Sequence, residues 1–200
     1  MNDLGTYKGK RGCDVLRRAV NDLLGQKEKV VVALAGLPGA GKTHVVKQFV
    51  RFGFGNVPKR DIAVIDDNTV YTTRFWRLDW EKLSGDKRHI SEFVDGARAK
   101  VVFFSNWIPG RFIDHADVMV FLTADETVRL ARLRRRYRRE PEKFLIQKEK
   151  KTIPHEDSFR YESSMILVND SRGITGWLLW WMIKRSFAGR CARGRNRGKA

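Results

Sequence analysis

The 200-residue sequence predicts an α/β fold of three layers, in which helices cover both faces of a mainly parallel five-stranded sheet. Apolar runs of strand length alternate with segments whose apolar residues recur at helical spacing. Hydrophobic residues make up 42% of the chain, which is enough to fill a core between such layers. A glycine-rich turn also joins the first apolar run to a helix, which is typical of parallel α/β sheets.

Each predicted element follows from its local pattern. Apolar residues at helical spacing between Cys13 and Leu24, followed by Gly25 as a stop signal, predict a helix within an N-terminal extension over residues 1–28. Five apolar runs predict buried parallel strands, and they cover residues 29–35, 61–67, 99–106, 117–122 and 165–169. Helices are expected between them, over residues 43–50, within 81–98 and over 125–139.

The glycine-rich turn comprises residues 36–43 and carries the most specific signal in the chain. It matches the G-x-x-x-x-G-K-[ST] pattern of a phosphate-binding P-loop, which predicts a P-loop nucleoside triphosphatase fold for residues 29–188. Glycines let the backbone turn tightly, so that several N–H groups point at one phosphate. The expected phosphate-binding positions are Gly36, Pro38, Gly39, Ala40 and Gly41.

The residues that follow these glycines predict the cofactors ATP and Mg²⁺. We expect the Lys42 ammonium to reach the β- and γ-phosphates and the Thr43 hydroxyl to bind Mg²⁺. His44 comes next on the helix and is expected to lie near the nucleotide. The motif alone indicates binding of a nucleoside triphosphate, but it does not indicate what happens to the phosphate.

Two carboxylates, Asp66 and Asp67, end the second strand of the predicted parallel sheet. Ligands of such sheets bind at the carboxyl ends of the strands, so we expect these residues near the phosphates. One carboxylate would take a proton from a hydroxyl acceptor, and we prefer Asp67 over Asp66 for this role. Asp66 would then hold Mg²⁺ through water. The alternative is that both belong to a turn without chemistry, because Asp-Asp-Asn is a good turn composition.

The helix over residues 125–139 carries a row of arginines. Arg129, Arg132 and Arg136 are spaced three and four residues apart, so they share one face. Such a row beside a phosphate loop would clamp the transferred phosphate, with residues 125–151 as a lid. Arg129 would contact the nucleotide, and Arg132 and Arg136 would stabilise the charge on the transferred group. The alternative is a solvated basic face or a nucleic-acid patch.

The order of these parts resembles the P-loop small-molecule kinases, and within them the uridine kinase and phosphoribulokinase-like group. The resemblance covers residues 29–170 and includes an A-D-x-x-V-F-L-x-A-D strand at 116–125 and an R-L-x-R-x-x-x-R lid pattern. It implies transfer of the ATP γ-phosphate to a hydroxyl of a small metabolite, such as a nucleoside, with an Asp as base. The chain departs from this family after the third strand, where Ser105 and Asn106 replace a Glu-Gly pair whose Glu helps to hold Mg²⁺.

The acceptor would bind in the region between residues 71 and 95, which is rich in aromatic and basic side chains. These would stack on a flat ring or bind an anionic group, or they are simply part of the core. The residues concerned are Arg74, Phe75, Trp76, Arg77 and Trp80.

The net charge of +17 is concentrated in two segments. Residues 129–151 hold eleven Lys and Arg against three Glu, and residues 184–200 hold seven Lys and Arg with no acidic residue. The end of the chain, residues 189–200, is expected to be a disordered basic tail that touches nucleic acid or anionic lipid non-specifically. The Trp-rich segment 174–185 fits either a last helix on the sheet or an interfacial membrane anchor.

Two widely separated cysteines and the lack of a signal pattern at the start predict a cytoplasmic location, with peripheral contact at a membrane as the alternative. Two other functions also fit the sequence. One is a nucleic-acid-associated P-loop ATPase or polynucleotide kinase, and the other is a non-catalytic nucleotide-binding protein at a membrane surface. The sequence leaves the acceptor, the choice between ATP and GTP, and the oligomeric state open.

Overall fold

A computed structural model describes residues 2–67, 69–74, 77–153 and 159–169. Within these residues the chain forms eight strands and five α-helices. The strands are β1 (Asn2–Lys8), β2 (Val30–Ala35), β3 (Ile62–Asp66), β4 (Thr69–Arg74), β5 (Arg77–Lys82), β6 (Val101–Ser105), β7 (His115–Thr123) and β8 (Arg160–Val168). The helices are α1 (Gly9–Leu24), α2 (Lys42–Phe52), α3 (Lys87–Gly96), α4 (Glu126–Arg136) and α5 (Pro141–Glu149), with short 3₁₀ turns at Lys59–Asp61 and Pro109–Arg111.

All eight strands belong to one mixed sheet in the order β1-β8-β7-β2-β6-β3-β4-β5. The first six in this order are parallel to their neighbours, whereas β4 and β5 form an antiparallel hairpin at one edge. The α/β class is therefore confirmed, but the expected five strands are too few. The three additional strands lie at the edges and carry mixed polar sequences, so they lack the continuous apolar runs by which buried strands are recognised.

The N-terminal segment contributes more than the expected helix. Strand β1 pairs with β8 in parallel along the other edge of the sheet. Helix α1 follows directly and ends at Leu24, as the Gly25 stop signal predicts. These residues are thus part of the sheet and of one of its covering layers.

The core lies in two apolar clusters, one on each face of the sheet. Helices α1 and α2 cover the first cluster, and α3 covers the second. On the first face, the rings of Phe49 and Phe103 have centroids 4.7 Å apart, and Phe54 packs edge-on against both. Burial of each ring stabilises this packing by about 1.5–3 kcal/mol. It fixes α2 on β6, with the first turn of the helix beside the carboxyl ends of the parallel strands.

The predicted helix over residues 125–139 is confirmed as α4, but it ends at Arg136, three residues earlier than expected, and a separate helix, α5, begins at Pro141. Proline has no backbone N–H to donate to a continuing helix, and it disfavours helical geometry in the residue before it. The start of α4 follows the expected pattern, since an Asp125 carboxylate oxygen accepts a 2.9 Å hydrogen bond from the Thr127 N–H.

The helix expected within residues 81–98 is confirmed. Glu81 and Lys82 belong to β5, and the helix in this segment is α3. In the part of the chain that the structure covers, no helix is both long and apolar enough to cross a membrane. The expectations for the Trp-rich segment 174–185 and the basic tail 189–200 lie outside the described residues.

Candidate functional site

The glycine-rich turn lies at the carboxyl end of β2, between the ends of β6 and β7. Two of its glycines are required by the close approach of neighbouring residues. A Cβ atom on Gly36 would lie 2.4 Å from the Leu122 carbonyl oxygen. Gly41 has a φ of +101°, and a Cβ there would lie 2.3 Å from the Asn169 side-chain nitrogen. The turn is therefore packed tightly against the strand ends on both sides.

Lys42 is largely desolvated at the beginning of α2. Its ammonium donates a 2.6 Å hydrogen bond back to the Gly36 carbonyl oxygen of the same turn. Burial lowers the pKa of Lys42 to about 8, although the charges of Asp67 and Asp66 act in the opposite direction. The nearby charges of Arg136 and Lys150 lower the pKa further. A bound anion would relieve both the desolvation and the repulsion, so this position favours a phosphate group.

Asp66 and Asp67 stand at the carboxyl end of β3, next to the end of β6. The Asp67 N–H donates a 2.9 Å hydrogen bond to the Ser105 carbonyl oxygen, and Asp67 adopts a left-handed φ of 55°. The Ser105 hydroxyl lies 2.9 Å from one Asp66 carboxylate oxygen. The Asn106 side-chain amide donates a 3.2 Å hydrogen bond to the Asp67 carboxylate. The two polar residues at the end of β6 thus orient the two carboxylates at the end of β3.

The carboxyl group of Asp67 is influenced by both negative and positive charges. Partial burial and the Asp66 charge raise the pKa of Asp67, whereas Lys42 and Arg136 oppose this rise. A carboxylate with a raised pKa accepts a proton more readily than an ordinary one. Asp67 therefore combines the position and the chemistry of a general base.

Ser105 and Asn106, which stand where the resembled family has Glu-Gly, are buried residues that position other groups. Their exposed fractions are 0% and 8%. The Asn106 side-chain oxygen accepts a 2.8 Å hydrogen bond from the Ile108 N–H, which fixes the orientation of the amide group. Sequence reasoning missed this positioning role. The signal that could have indicated it is that Ser105 and Asn106 follow the apolar run of β6, which pairs with the strand that ends at the two Asp residues.

Arg129 is only 1% exposed and uses its guanidinium within the protein. Two of its nitrogens contact the Glu126 carboxylate, at 2.6 and 2.9 Å. Other hydrogen bonds reach the carbonyl oxygens of Pro38 in the turn and of Gln147 and Lys148 in α5. Arg129 therefore ties the turn to both helices. The donors of Arg129 are directed at protein groups, and its expected contact with nucleotide stays a prediction.

Arg132 also braces the glycine-rich turn. Its guanidinium donates to the carbonyl oxygens of Gly39 and Ala40, at 3.3 and 3.1 Å, and to that of Asn169 at 3.4 Å. The Asn169 side chain, which is 5% exposed, donates a 2.7 Å hydrogen bond to the same Ala40 carbonyl oxygen. Sequence reasoning did not select Asn169. Its place at the end of the last predicted strand was the signal that could have identified it.

Arg136 is the exposed member of the arginine row. Its charge acts on both Lys42 and Asp67. Lys150, which no sequence pattern indicated, lies with its ammonium 3.9 Å from the centroid of the Trp107 ring. The Trp107 indole N–H is buried and has no hydrogen-bond partner in the part of the protein described. Two cations, Arg136 and Lys150, therefore lie around the site, together with the Trp107 N–H, which has no partner among the described residues.

His44 and Thr43 occupy the first turn of α2. His44 is exposed over much of its surface. Desolvation of the remaining part of its side chain and the charges of Arg132 and Arg51 lower the pKa of His44. Thr43 is partly buried beside Lys42. Over residues 2–67, 69–74, 77–153 and 159–169, no group of three or more His, Cys, Asp or Glu side chains is arranged to hold a metal ion by itself. A cation at this edge would need ligands from Asp66, Thr43, water and a bound phosphate.

No protein-family model matches this chain, and no curated protein matches it. Its function is therefore inferred from the side chains at the carboxyl ends of the strands.

Proposed function

We propose that this protein is an ATP- and Mg²⁺-dependent phosphotransferase that moves the γ-phosphate to a hydroxyl group of a small metabolite, with nucleosides among the candidates. The observation that supports it best is the pairing of a desolvated ammonium with a basic carboxylate. Lys42 and Asp67 influence each other's pKa, yet the ammonium makes its hydrogen bond to Gly36. A phosphoryl group between these two side chains would be bound by the Lys42 ammonium. The acceptor hydroxyl that attacks it would be held by the Asp67 carboxylate.

The residues of the glycine-rich turn fit the triphosphate of ATP. The Lys42 ammonium is already aimed into the turn, and its desolvation makes an anionic partner favourable. Arg132 and Asn169 donate hydrogen bonds to a carbonyl oxygen of the turn, that of Ala40. These hydrogen bonds hold the shape of the turn before any ligand binds. The close approach to Gly36 and Gly41 leaves no space for side chains on these glycines. The turn is therefore preorganised rather than flexible in this proposal.

Asp66 supplies the carboxylate that Mg²⁺ requires. Mg²⁺ is usually bound through one or two carboxylates together with phosphate oxygens and waters. Asp66 is oriented by the Ser105 hydroxyl, and Thr43 adds a hydroxyl from the start of α2. Ser105 carries no charge and does not take the place of the Glu that helps to hold Mg²⁺ in the resembled family. It orients the Asp66 carboxylate, which would hold Mg²⁺ instead.

ATP would supply the phosphoryl group, and Mg²⁺ held by Asp66 and Thr43 would neutralise part of its charge. Asp67 orients the acceptor hydroxyl and takes its proton, for which its raised pKa is suited. Lys42 stabilises the negative charge on the phosphate oxygens, and Arg136 closes over them from the end of α4. Arg129 and Arg132 hold the turn in place, so they are positioning residues.

A screen of ATP consumption tests this proposal. The purified chain is incubated with Mg-ATP and pools of nucleosides, sugars and vitamins, and both ADP and the phosphorylated acceptor are measured. We expect turnover with one pool, and loss of it in the Lys42→Ala and Asp67→Asn variants. The exposed lid residue Lys148 provides a control, because Lys148→Ala should retain activity. Lack of nucleotide binding by the wild-type protein would refute the proposal.

A further inference from the structure

A strip of aromatic and basic side chains lies on the same face of the sheet as α2, at the edge formed by the hairpin. We name it the aromatic–basic strip, and its members are Lys47, Arg51, Tyr71, Trp80 and Lys82. Trp80 is 68% exposed, more than any other large hydrophobic residue in the part of the chain that the structure describes. The sequence pattern placed Trp80 among the residues expected to bind the acceptor, but the steps of the proposed phosphotransfer do not use this side chain.

The geometry of the strip is set by strand register. Tyr71 of β4 lies directly opposite Trp80 of β5, so the two side chains share one face of the hairpin. The Lys47 ammonium lies 4.4 Å from the centroid of the Tyr71 ring, in a cation–π contact. The Thr73 hydroxyl donates a 2.7 Å hydrogen bond to the Val50 carbonyl oxygen of α2. The hairpin and the helix are therefore held together, with the aromatic rings beside the basic face of α2.

The charge of the strip is positive. Helix α2 contains no acidic residue. Lys47 and Arg51 lie four residues apart, so they share a face of the helix. Lys82 lies opposite Thr69, on the same face as Trp80 and closer to the ends of the parallel strands. Among the described residues, no carboxylate forms an ion pair with Lys47, Arg51 or Lys82.

We infer that the aromatic–basic strip binds single-stranded nucleic acid. An exposed flat ring stacks on an unpaired base whatever its identity, and cations spaced along a groove contact successive phosphates. A paired base has no free face for Trp80, so a duplex would bind less well. A membrane surface would favour several neighbouring apolar side chains, whereas the strip has one exposed indole among cations. This binding is independent of the proposed phosphotransfer.

Binding of a short, fluorescently labelled oligothymidylate to the full chain, without ATP, tests the inference by fluorescence anisotropy over a range of salt concentrations. We expect salt-dependent binding by the wild-type protein. Trp80→Ala should weaken it about 5- to 150-fold with an unchanged salt slope, because it removes stacking and no charge. Trp80→Phe should retain most of the affinity. Lys47→Gln should reduce the slope of log affinity against log salt by about 0.7, the value for one phosphate contact on a single strand.

Two variants outside the strip serve as matched controls. Leu145→Ala removes another exposed apolar side chain, which is 54% exposed on α5, and Lys148→Gln removes an exposed lid cation. Both should bind the oligonucleotide as the wild-type protein does, and thermal melting would verify that all variants fold. Wild-type affinity in Trp80→Ala, equal binding of a duplex, or absence of wild-type binding would each overturn the inference. None of these results depends on ATP turnover, so they leave the proposed phosphotransfer to its own test.

Discussion

The side-chain amide of Asn106 lies 3.2 Å from a carboxylate oxygen of Asp67 and donates a hydrogen bond to it. One residue earlier in each segment, the Ser105 hydroxyl makes the equivalent contact with Asp66. Strand register explains the arrangement, because Asp66 and Ser105 are partners in the parallel pair β3–β6. Two neutral residues thus orient two acidic ones at the edge of the sheet where the glycine-rich turn lies.

The Asn106→Ala substitution should lower the rate of phosphotransfer about tenfold with little change in the affinity for Mg-ATP, because Asp67 loses an orienting donor. It also removes the acceptor for the buried Ile108 N–H, which should lower the free energy of unfolding by about 1–3 kcal/mol. Steady-state kinetics and urea unfolding would measure the two effects. An unchanged kcat in a folded variant would contradict the positioning role.

Arg129 and Arg136 should respond differently to the same substitution. Arg129→Met leaves the Pro38, Gln147 and Lys148 carbonyl oxygens without their donor, so the free energy of unfolding should fall by about 1–3 kcal/mol. Arg136→Met should change it by less than about 0.5 kcal/mol, because this side chain is exposed. The same Arg136 variant should lose about a hundredfold in phosphotransfer rate. Equal stability losses in the two variants, or full activity of Arg136→Met, would count against the division of roles.

Glu126 should make folding stability depend on pH in the acid range. Its hydrogen bond from Arg129 lowers the pKa of Glu126 from an ordinary 4.5 to about 2. Because the folded-state pKa is the lower one, this stabilisation is fully present above pH 4.5 and is lost as the pH falls towards 2. Half of the Glu126 side chain is exposed, so solvent screening reduces the effect. Urea unfolding should show Glu126→Gln to be less stable than wild type at neutral pH, with the difference shrinking below pH 4.5. A difference that is constant with pH would refute this assignment.

Two glycine substitutions should have opposite effects on stability. Gly41→Ala introduces a Cβ at a φ of +101° and 2.3 Å from the Asn169 side chain, so it should cost about 1–3 kcal/mol and weaken Mg-ATP binding. Gly96→Ala meets no atom within 4 Å at the end of α3 and should stabilise the protein by up to about 1 kcal/mol. Thermal unfolding would compare the two variants. If Gly41→Ala proved as stable as wild type, the turn would not be packed as described.

Sequence patterns predicted the centre of the sheet but not its edges. The runs that became β2 and β6 are continuously apolar because both faces of these strands are covered. Strands β1, β4 and β5 are half exposed or polar, and they form because neighbouring strands offer free backbone groups. That pairing depends on tertiary contacts, which local periodicity does not record.

The side chains at the site were partly predictable for a similar reason. Lys42, Asp66 and Asp67 follow buried strands or the glycine-rich turn, so their place at one edge could be expected from the sequence. The spacing of Arg129 and Arg136 predicts only that they share a face of α4. Arg129 is buried because its part of α4 packs against Pro38 of the glycine-rich turn. Arg136 is the last residue of α4, where the helix leaves the core. Their different surroundings could not be read from spacing alone.

The claim that residues 36–43 hold the triphosphate of Mg-ATP is tested most directly by isothermal titration calorimetry near pH 8, in two buffers of different ionisation enthalpy. The wild-type protein should bind Mg-ATP and take up a fraction of a proton, because bound phosphate raises the pKa of Lys42 from about 8. Lys42→Ala should weaken binding about 10- to 150-fold and abolish the proton uptake. Failure of the wild-type protein to bind Mg-ATP, or equal affinity and proton uptake in the Lys42→Ala variant, would contradict the claim.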